Sequence, residues 1–107
     1  MGKKGTIGEL EELVLLAILR LGDGAYGVPI VDELEATAER EVSPASVYVL
    51  LRRLEDGGLI RSKSEPRASG RPRRKVTVTE LGIELLKRSR RARTRMWDGL
   101  DPILGDR

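Results

Sequence analysis

Three observations predict a mainly α-helical chain that carries one small antiparallel β-hairpin (an α+β fold), in the element order αααββα. Apolar residues recur at helical spacing in several segments, and capping residues or glycines bound each of them. Two short runs of strand composition flank a loop rich in glycine, proline and arginine. The 107 residues include no Phe, two Tyr and one Trp, so the chain has room for one small core made mainly of Leu, Val and Ile.

The first helix is predicted to start at Thr6, because Thr6 and Glu9 fit a capping box in which side chains and backbone N–H groups exchange hydrogen bonds. The glycines of Gly22-Asp23-Gly24 end it, since glycine readily takes the left-handed conformation that follows a helix. Between these signals, one stripe of apolar residues recurs at helical spacing. Its members are Leu10, Leu13, Val14, Ala17, Ile18 and Leu21.

A second helix is predicted from about Val28, since Pro29 fits the first turn of a helix, where its missing N–H costs nothing. Ser43 and Pro44 mark the start of a third helix, as its N-cap and its first residue. Gly57-Gly58 ends this third helix. Its apolar face consists of Val47, Leu50, Leu51 and Leu54. The other faces must point away from the core. They carry Ser46, Val49, Arg52 and Arg53.

Residues 59–63 and 75–78 have strand composition, and the eleven residues between them are predicted to form a loop. Because a lone two-stranded hairpin is marginally stable, the helices must pack behind it. Thr79 fits the N-cap of a last helix that runs from Glu80 to about Trp97. Its N-terminal part should be anchored in the core by leucines, Leu81 among them. Its middle is so rich in Lys and Arg that it must be solvated or matched by acidic groups.

Charge is distributed unevenly along the chain, although the net charge is only +3. Residues 9–41 carry nine acidic and two basic side chains, whereas residues 52–95 carry fifteen basic and five acidic ones. Such a basic region attracts polyanions whatever the total charge. The acidic front suggests in addition that Glu9, Glu11 and Glu12 meet the arginine-rich last helix of a second copy.

The inventory of side chains excludes several kinds of site. The chain has no Cys and no His, which removes disulfides, thiolate nucleophiles, imidazole bases and the common zinc sets. We therefore predict no catalytic residue, no metal and no cofactor, and we expect the protein not to be an enzyme. The longest apolar run, Leu13 to Leu19, is far shorter than the roughly 20 residues that span a bilayer. No membrane association and a cytoplasmic location are expected.

The predicted elements follow one another in the order of a winged helix-turn-helix DNA-binding domain, which we assign to residues 1–79. In that fold the third helix enters the major groove of double-stranded DNA with its N-terminus first. Arginines of the following wing suit phosphates and narrow minor grooves, because the guanidinium is planar and forked. The candidate DNA-binding residues are Ser43, Ala45, Ser46, Tyr48, Val49, Arg52 and Arg53 on the helix, and Lys63, Arg67, Ser69, Gly70, Arg71, Arg73, Arg74 and Lys75 on the hairpin.

Each of these assignments has an alternative. Tyr48 could be a tyrosine at the edge of the core, and the pair Arg52-Arg53 could form a solvated helix face with Glu55 and Asp56 as partners. The loop could be a disordered basic linker. As a whole, the domain could be a protein-interaction module whose basic loop docks on an acidic protein partner.

Residues 80–107 are predicted to form a C-terminal dimerisation helix and tail. Apolar and small residues continue along the helix at spacings of three and four, which is typical of a helix–helix seam. They are Leu85, Ser89, Ala92 and Met96, then Leu100 and Ile103 if the helix persists. Trp97 beside Met96 indicates an adaptable aromatic contact across a two-fold axis. Alternatively, Trp97 packs on its own first helix, or two copies of Trp97 line a pocket for a small planar effector.

Several motifs occur together in the chain. They are Gly8-Glu9-Leu10-Glu11 with the apolar run 13–19, Ser43-Pro44-Ala45-Ser46-Val47-Tyr48, Leu51-Arg52-Arg53-Leu54-Glu55, Gly58-Leu59-Ile60 and Gly70-Arg71-Pro72-Arg73-Arg74. Their joint pattern resembles the PadR family of bacterial winged-helix transcriptional regulators over nearly the whole length. The resemblance implies a homodimer that binds a palindromic operator, usually as a repressor, with the last helix exchanged onto the partner's first helix. By that resemblance, Tyr48 lies at the DNA, and Leu10, Leu13 and the stretch from Leu85 to Leu100 lie at the dimer interface.

The chain departs from the family pattern in three places. Tyr26-Gly27 replaces the usual His-Gly-Tyr order before the second helix. Lys75-Val76 stands where the family commonly has aromatics, and Glu80 stands where a proline often follows the cap. The chain ends soon after one C-terminal helix, so it resembles the short form of the family, in which an effector would bind at the dimer interface.

Overall fold

The computed structural model describes residues 7–105 of the chain. Its elements are α1 (Glu9–Leu21), a 3-10 turn (Gly22–Gly24), α2 (Gly27–Ala38), α3 (Pro44–Asp56), β1 (Ile60–Glu65), β2 (Arg73–Val78), α4 (Glu80–Trp97) and α5 (Asp101–Leu104). The predicted order αααββα is confirmed, and the short α5 follows it. No helix among these residues is both long enough and apolar enough to cross a membrane.

The hydrophobic core forms around α1, which packs against α2, α3, β2 and α4. Buried side chains of all these elements and of β1 belong to one cluster, and Leu85 and Leu86 extend it onto the first half of α4. Leu15 is fully buried although it lies off the stripe that the sequence predicts. A helix surrounded on several sides needs apolar residues beyond a single stripe, which accounts for the burial of Leu15.

The start of α1 differs from the prediction. The expected cap, Thr6, lies outside the described residues, and the helix begins at Glu9 with Gly8 as its N-cap. The backbone N–H of Gly8 donates to the Glu11 carboxylate at 2.7 Å, so Glu11 takes the role assigned to Glu9. Glycine has no side chain to reciprocate, and only this half of a capping box forms.

The start of α3 and the end of the hairpin agree with the sequence, but the hairpin is longer than predicted. Ser43 caps α3 by accepting from the Ser46 N–H at 3.1 Å, and Pro44 is the first helical residue. The ladder extends from Ile60 opposite Val78 to the pair of Glu65 and Arg73. The connecting loop therefore has seven residues, 66–72, and Arg73 and Arg74 lie in a strand rather than in the loop.

Thr79 caps α4 as predicted and also ties the helix to the preceding turn. Its hydroxyl accepts from the Gly82 N–H at 3.2 Å and donates to the Gly58 carbonyl at 2.7 Å. Leu85 and Leu86 are buried, but Leu81 is half exposed and does not anchor the helix as expected. Beyond residue 90 every described side chain is exposed, so the second half of α4 leaves the core of its own chain.

Candidate nucleic-acid interface

The N-terminal half of α3 presents its predicted DNA-facing side chains to solvent. Val47, Leu50, Leu51 and Leu54 are turned into the core, whereas Ser43, Ala45, Ser46, Tyr48, Val49, Arg52 and Arg53 are all exposed. Tyr48 is 54% exposed, which argues against a tyrosine at the edge of the core. Its ring lies over the first turn of α2, at Gly27.

The arginines of α3 are free to contact a ligand. Glu55, one of the partners considered for Arg52 and Arg53, instead accepts from the Ser62 hydroxyl at 2.8 Å. Ser62 in turn accepts from the Arg74 guanidinium at 2.6 Å. Between residues 7 and 105, neither Arg52 nor Arg53 forms an ion pair. A helix face of unpaired arginines beside a basic hairpin suits a polyanion.

The loop of the hairpin folds on itself rather than running as an irregular linker. The Arg67 guanidinium donates from Nε to the Arg71 carbonyl at 2.9 Å and so closes the loop. Gly70 has φ +82°, a left-handed conformation that glycine adopts without strain. These contacts support the ordered wing over the disordered linker. Lys63, Ser69 and the loop arginines lie on its exposed surface.

The sequence did not predict a cluster of contacts that joins the outer end of the wing's strands to the start of α2. The Tyr26 hydroxyl donates to Glu65 Oε1 at 2.6 Å, and the Arg73 guanidinium carbon lies 3.9 Å from the centre of the Tyr26 ring. The hydrogen bond to Glu65 raises the pKa of Tyr26, so the phenol remains a donor. Lys75 bonds to Asp23 at 3.0 Å, and this contact raises the pKa of Lys75. Arg73 and Lys75 are therefore oriented by neighbours on the α1–α2 connection.

A basic cleft lies between the start of α2, the side chain of Tyr48 and the wing. Its volume is about 550 Å³. It is lined by Tyr26, Gly27, Val28, Pro29, Tyr48, Arg67, Arg71, Pro72, Arg73 and Arg74. Arginines form one wall, and the opposite wall includes the N-terminus of α2, where no side-chain cap occupies the backbone N–H groups. Both features favour an anion, because the helix dipole and the guanidiniums place positive potential in the same space.

A second exposed feature is an apolar groove between α1 and α4, with a volume of about 630 Å³. It is lined by Glu12, Leu16, Leu19, Ile83, Leu86, Lys87, Arg90, Arg93, Thr94 and Trp97. Trp97 is 64% exposed, and Leu16 and Leu19 are exposed as well. Leu16, Leu19 and Ile83 were missed, although the apolar run 13–19 was a signal that α1 is covered on more than one face.

The predicted dimer residues fall into two groups. Leu85 is 7% exposed and belongs to the core of its own chain, and Leu10 and Leu13 are partly buried against that core. Ser89 is partly buried and donates to Glu12 at 2.8 Å. The others are exposed in the single chain: Ala92, Met96, Trp97 and Leu100.

The glutamates of α1 have neighbours within their own chain, and their expected contact with the last helix of a second copy stays a prediction. Glu12 accepts from Arg93 at 3.1 Å and Glu9 lies 3.6 Å from Arg40, while Glu11 caps its own helix. The first turn of α1 packs near α4 of the same chain, so Arg93 reaches Glu12 without a partner.

An exposed, capped third helix beside an ordered basic β-hairpin is the arrangement of the winged-helix class of DNA-binding proteins. The model of the transcriptional regulator PadR-like family matches residues 15–88, about two thirds of the chain. The chain therefore belongs to the PadR-like family of transcriptional regulators, whose members are in general not enzymes.

Solved structures show the same fold over most of the chain. A PadR family transcription regulator from Clostridium difficile has a TM-score of 0.76 and 22% identity, and the match covers 92% of this chain and 100% of that one. A PadR family regulator from Eggerthella lenta has 30% identity and a TM-score of 0.69, with 92% and 88% covered. A PadR-like transcriptional regulator from Bacillus cereus has 23% identity and a TM-score of 0.73, and the match covers 92% of this chain and 93% of that one. No curated protein matches the sequence.

Proposed function

We propose that this regulator is a homodimeric repressor that binds a palindromic operator in double-stranded DNA. The observation that carries the proposal is one continuous surface. It joins the exposed N-terminal half of α3 to the arginine-lined cleft and the wing. Each chain holds one such surface, so each would read half of a two-fold symmetric site.

In the proposed complex, the N-terminus of α3 enters the major groove. Ser46 and Tyr48 are the side chains closest to base edges, and Arg52 reaches a phosphate or the groove wall. The wing arginines hold the sugar–phosphate backbone, and the basic cleft behind Tyr48 has the charge to take a phosphate. Backbone contacts fix the register of the protein, while base contacts supply specificity.

The groove between α1 and α4 would take the last helix of a second copy. Its apolar residues are exposed in one chain, and the exposed side chains of Met96 and Trp97 offer apolar surface of the same kind. Placing Leu16→Glu in this groove should convert a dimer to a monomer in sedimentation equilibrium. The matched variant Leu81→Glu places the same charge at an exposed leucine outside the groove and should remain dimeric.

Two copies of Trp97 near the two-fold axis would also form a site for a small planar effector. Trp97 lines the groove and remains largely exposed, so a flat apolar molecule could stack on its ring. Titration of the Trp97 fluorescence with planar aromatic compounds tests this site. Saturating quenching is the expected result. Because Trp97→Leu leaves no tryptophan to follow, calorimetric titration of that variant serves as the control and should show no binding.

Selection from random DNA duplexes at moderate salt tests the repressor proposal. An enriched palindrome is expected, with an affinity at least about a thousandfold above that for random DNA. Failure to enrich a palindrome would refute the proposal. Repression itself is tested with a reporter promoter that contains the selected site.

Salt dependence separates DNA binding from docking on an acidic protein. Arg71→Ala should weaken binding and reduce the slope of log K against log salt by about 0.9 for each phosphate that the variant no longer neutralises. Arg20→Ala is the matched control, because Arg20 pairs with Glu33 of α2 and does not line the basic cleft. DNA affinity that is unchanged by removal of the wing arginines would favour the protein-interaction module instead.

A further inference from the structure

Two consecutive residues at the start of α2 contact both of the elements that face the DNA. We propose that the pair Tyr26-Gly27 positions the wing and Tyr48 relative to each other, and thereby sets the affinity and specificity of the DNA site. The inference rests on the proposed function and assigns positioning roles to two residues that need not touch the DNA bases.

Tyr26 holds both strands of the wing at their outer end. Glu65 and Arg73 form the last pair of the ladder before the loop. The Tyr26 hydroxyl bonds to the first of them at 2.6 Å, and the ring lies 3.9 Å from the guanidinium carbon of the second. One side chain therefore fixes the hairpin close to where its loop begins, and a hairpin held there cannot swing freely about its base.

The same connection ties the wing at two further points. The Val76 N–H donates to the Ala25 carbonyl at 3.0 Å, and Lys75 bonds to Asp23 at 3.0 Å. Residues 23–26 thus run beside β2 and fix its inner part. Tyr26 extends this attachment outward to the end of the ladder.

The Tyr48 ring packs against the backbone of Gly27. A Cβ atom at residue 27 would lie 2.5 Å from Tyr48 Oη and 2.7 Å from Cζ, closer than such atoms approach in proteins. Tyr48 is about half exposed, so a methyl group here would push the ring outward instead of disturbing the core. The absence of a side chain at residue 27 therefore allows the Tyr48 ring to lie against the start of α2.

These two contacts lie next to each other along the chain, and each bounds the basic cleft. Tyr26 positions the wing on one side of the cleft, and Gly27 allows the Tyr48 ring on the other side to pack against the start of α2. The separation of the recognition helix and the wing at this point thus depends on two adjacent residues. In the proposed complex, a duplex binds well only when α3 fits the groove and the wing contacts the sugar–phosphate backbone at the same time.

The first test is a double-mutant cycle between Gly27→Ala and Tyr48→Ala, measured as affinity for the selected palindrome. Gly27→Ala should weaken binding about tenfold, the order expected for a misplaced base contact. In the Tyr48→Ala background it should have no further effect. Gly24→Ala is the matched control, because a Cβ at residue 24 meets no atom within 4 Å.

The second test concerns the wing and has a readout that needs no DNA. Tyr26→Leu should lower the heteronuclear NOE values of the backbone amides in residues 63–75 and weaken DNA binding. Tyr26→Phe, which keeps the ring beneath Arg73, should have a smaller effect on both. Glu65→Gln keeps an acceptor for the Tyr26 hydroxyl and should leave the order of the wing unchanged.

The outcomes distinguish this inference from the function on which it rests. A wild-type protein that enriches no DNA palindrome would refute the proposed repressor. A wild-type protein that binds its palindrome, with affinity unchanged by Gly27→Ala and Tyr26→Leu, would overturn only the positioning roles. Additive effects of Gly27→Ala and Tyr48→Ala on affinity would also overturn the role of Gly27.

Discussion

Gly82 is the residue at which the structure and helix propensity make opposite predictions. Replacing a glycine inside a helix by alanine ordinarily stabilises a protein by up to about 1 kcal/mol. Gly82 is buried in the first turn of α4, where that helix crosses the start of β1 and the end of β2. A Cβ there would lie 2.5 Å from the Leu59 carbonyl oxygen and 2.6 Å from Val78 Cγ1. We therefore predict that Gly82→Ala destabilises the fold.

The size of the effect follows from what must move. The methyl group has to withdraw by about 0.5 Å to reach 3.0 Å from the carbonyl oxygen. That oxygen is held by the Thr79 N–H at 3.0 Å, so α4 must shift and strain its own cap. Overpacking of this kind costs about 1–3 kcal/mol, and strain on a cap adds to it. After the propensity gain is subtracted, a net loss of about 2 kcal/mol remains.

Thermal and urea unfolding measure this loss, at one fixed protein concentration because the proposed dimer would make unfolding depend on concentration. A loss of about 2 kcal/mol corresponds to a fall in Tm of about 10 °C for a domain of this size. Gly24→Ala is the control and should change Tm little, because its methyl group meets open space. A Gly82→Ala protein as stable as wild type, or more so, would refute the reasoning.

Three further predictions concern caps and ion pairs. Ser43→Ala removes the N-cap of α3 and should cost about 1 kcal/mol in urea unfolding, whereas Ser43→Gly should cost only a few tenths; equal losses would contradict the capping role. Hydrogen bonds from Thr37 and, to a smaller extent, from Arg20 lower the pKa of Glu33 below its ordinary value of 4.5. The stability that the Glu33 carboxylate contributes is therefore present above pH 4.5 and is lost as pH falls through the lower pKa of the folded state. In an NMR titration, Thr37→Ala should raise that pKa, and an unshifted titration would contradict the assignment. The bond to Asp23 raises the pKa of Lys75, so the stabilisation from this pair is complete below pH 10.5 and is lost as pH rises through the higher folded value. In urea unfolding, Asp23→Asn should therefore lower stability equally from neutral pH up to 10.5 and remove this pair's pH dependence above it; unchanged stability at neutral pH would contradict the role of the pair.

Much of the fold was predictable because its boundaries depend on local chemistry. Ser43 and Thr79 cap their helices by bonds to residues three positions away, and Gly22 ends α1 with a positive φ. The exposed face of α3 follows from the same periodicity that buries Val47 and Leu54. Such signals lie within a few residues and can be read without knowing the fold.

The predictions that failed involve contacts between distant segments. The last pair of the hairpin ladder, which composition did not indicate, is contacted by Tyr26 from far away in the sequence. Glu12 bonds to Arg93, which lies 81 positions away in the sequence, and no local pattern indicates that contact. The exposure of Leu81 likewise depends on how α4 crosses the hairpin.

Spacing and composition were sufficient to specify which elements form, which side of α3 stays out of the core, and where positive charge accumulates. How the recognition helix and the wing are held with respect to each other follows only from the packed chain. That arrangement depends on a ring stacked beneath Arg73 and a glycine beneath Tyr48. The physical reason is that in a closely packed structure the neighbouring atoms decide which residue fits at a position. At Tyr26 and Gly27 those atoms belong to segments far away in the sequence, which local sequence patterns do not identify.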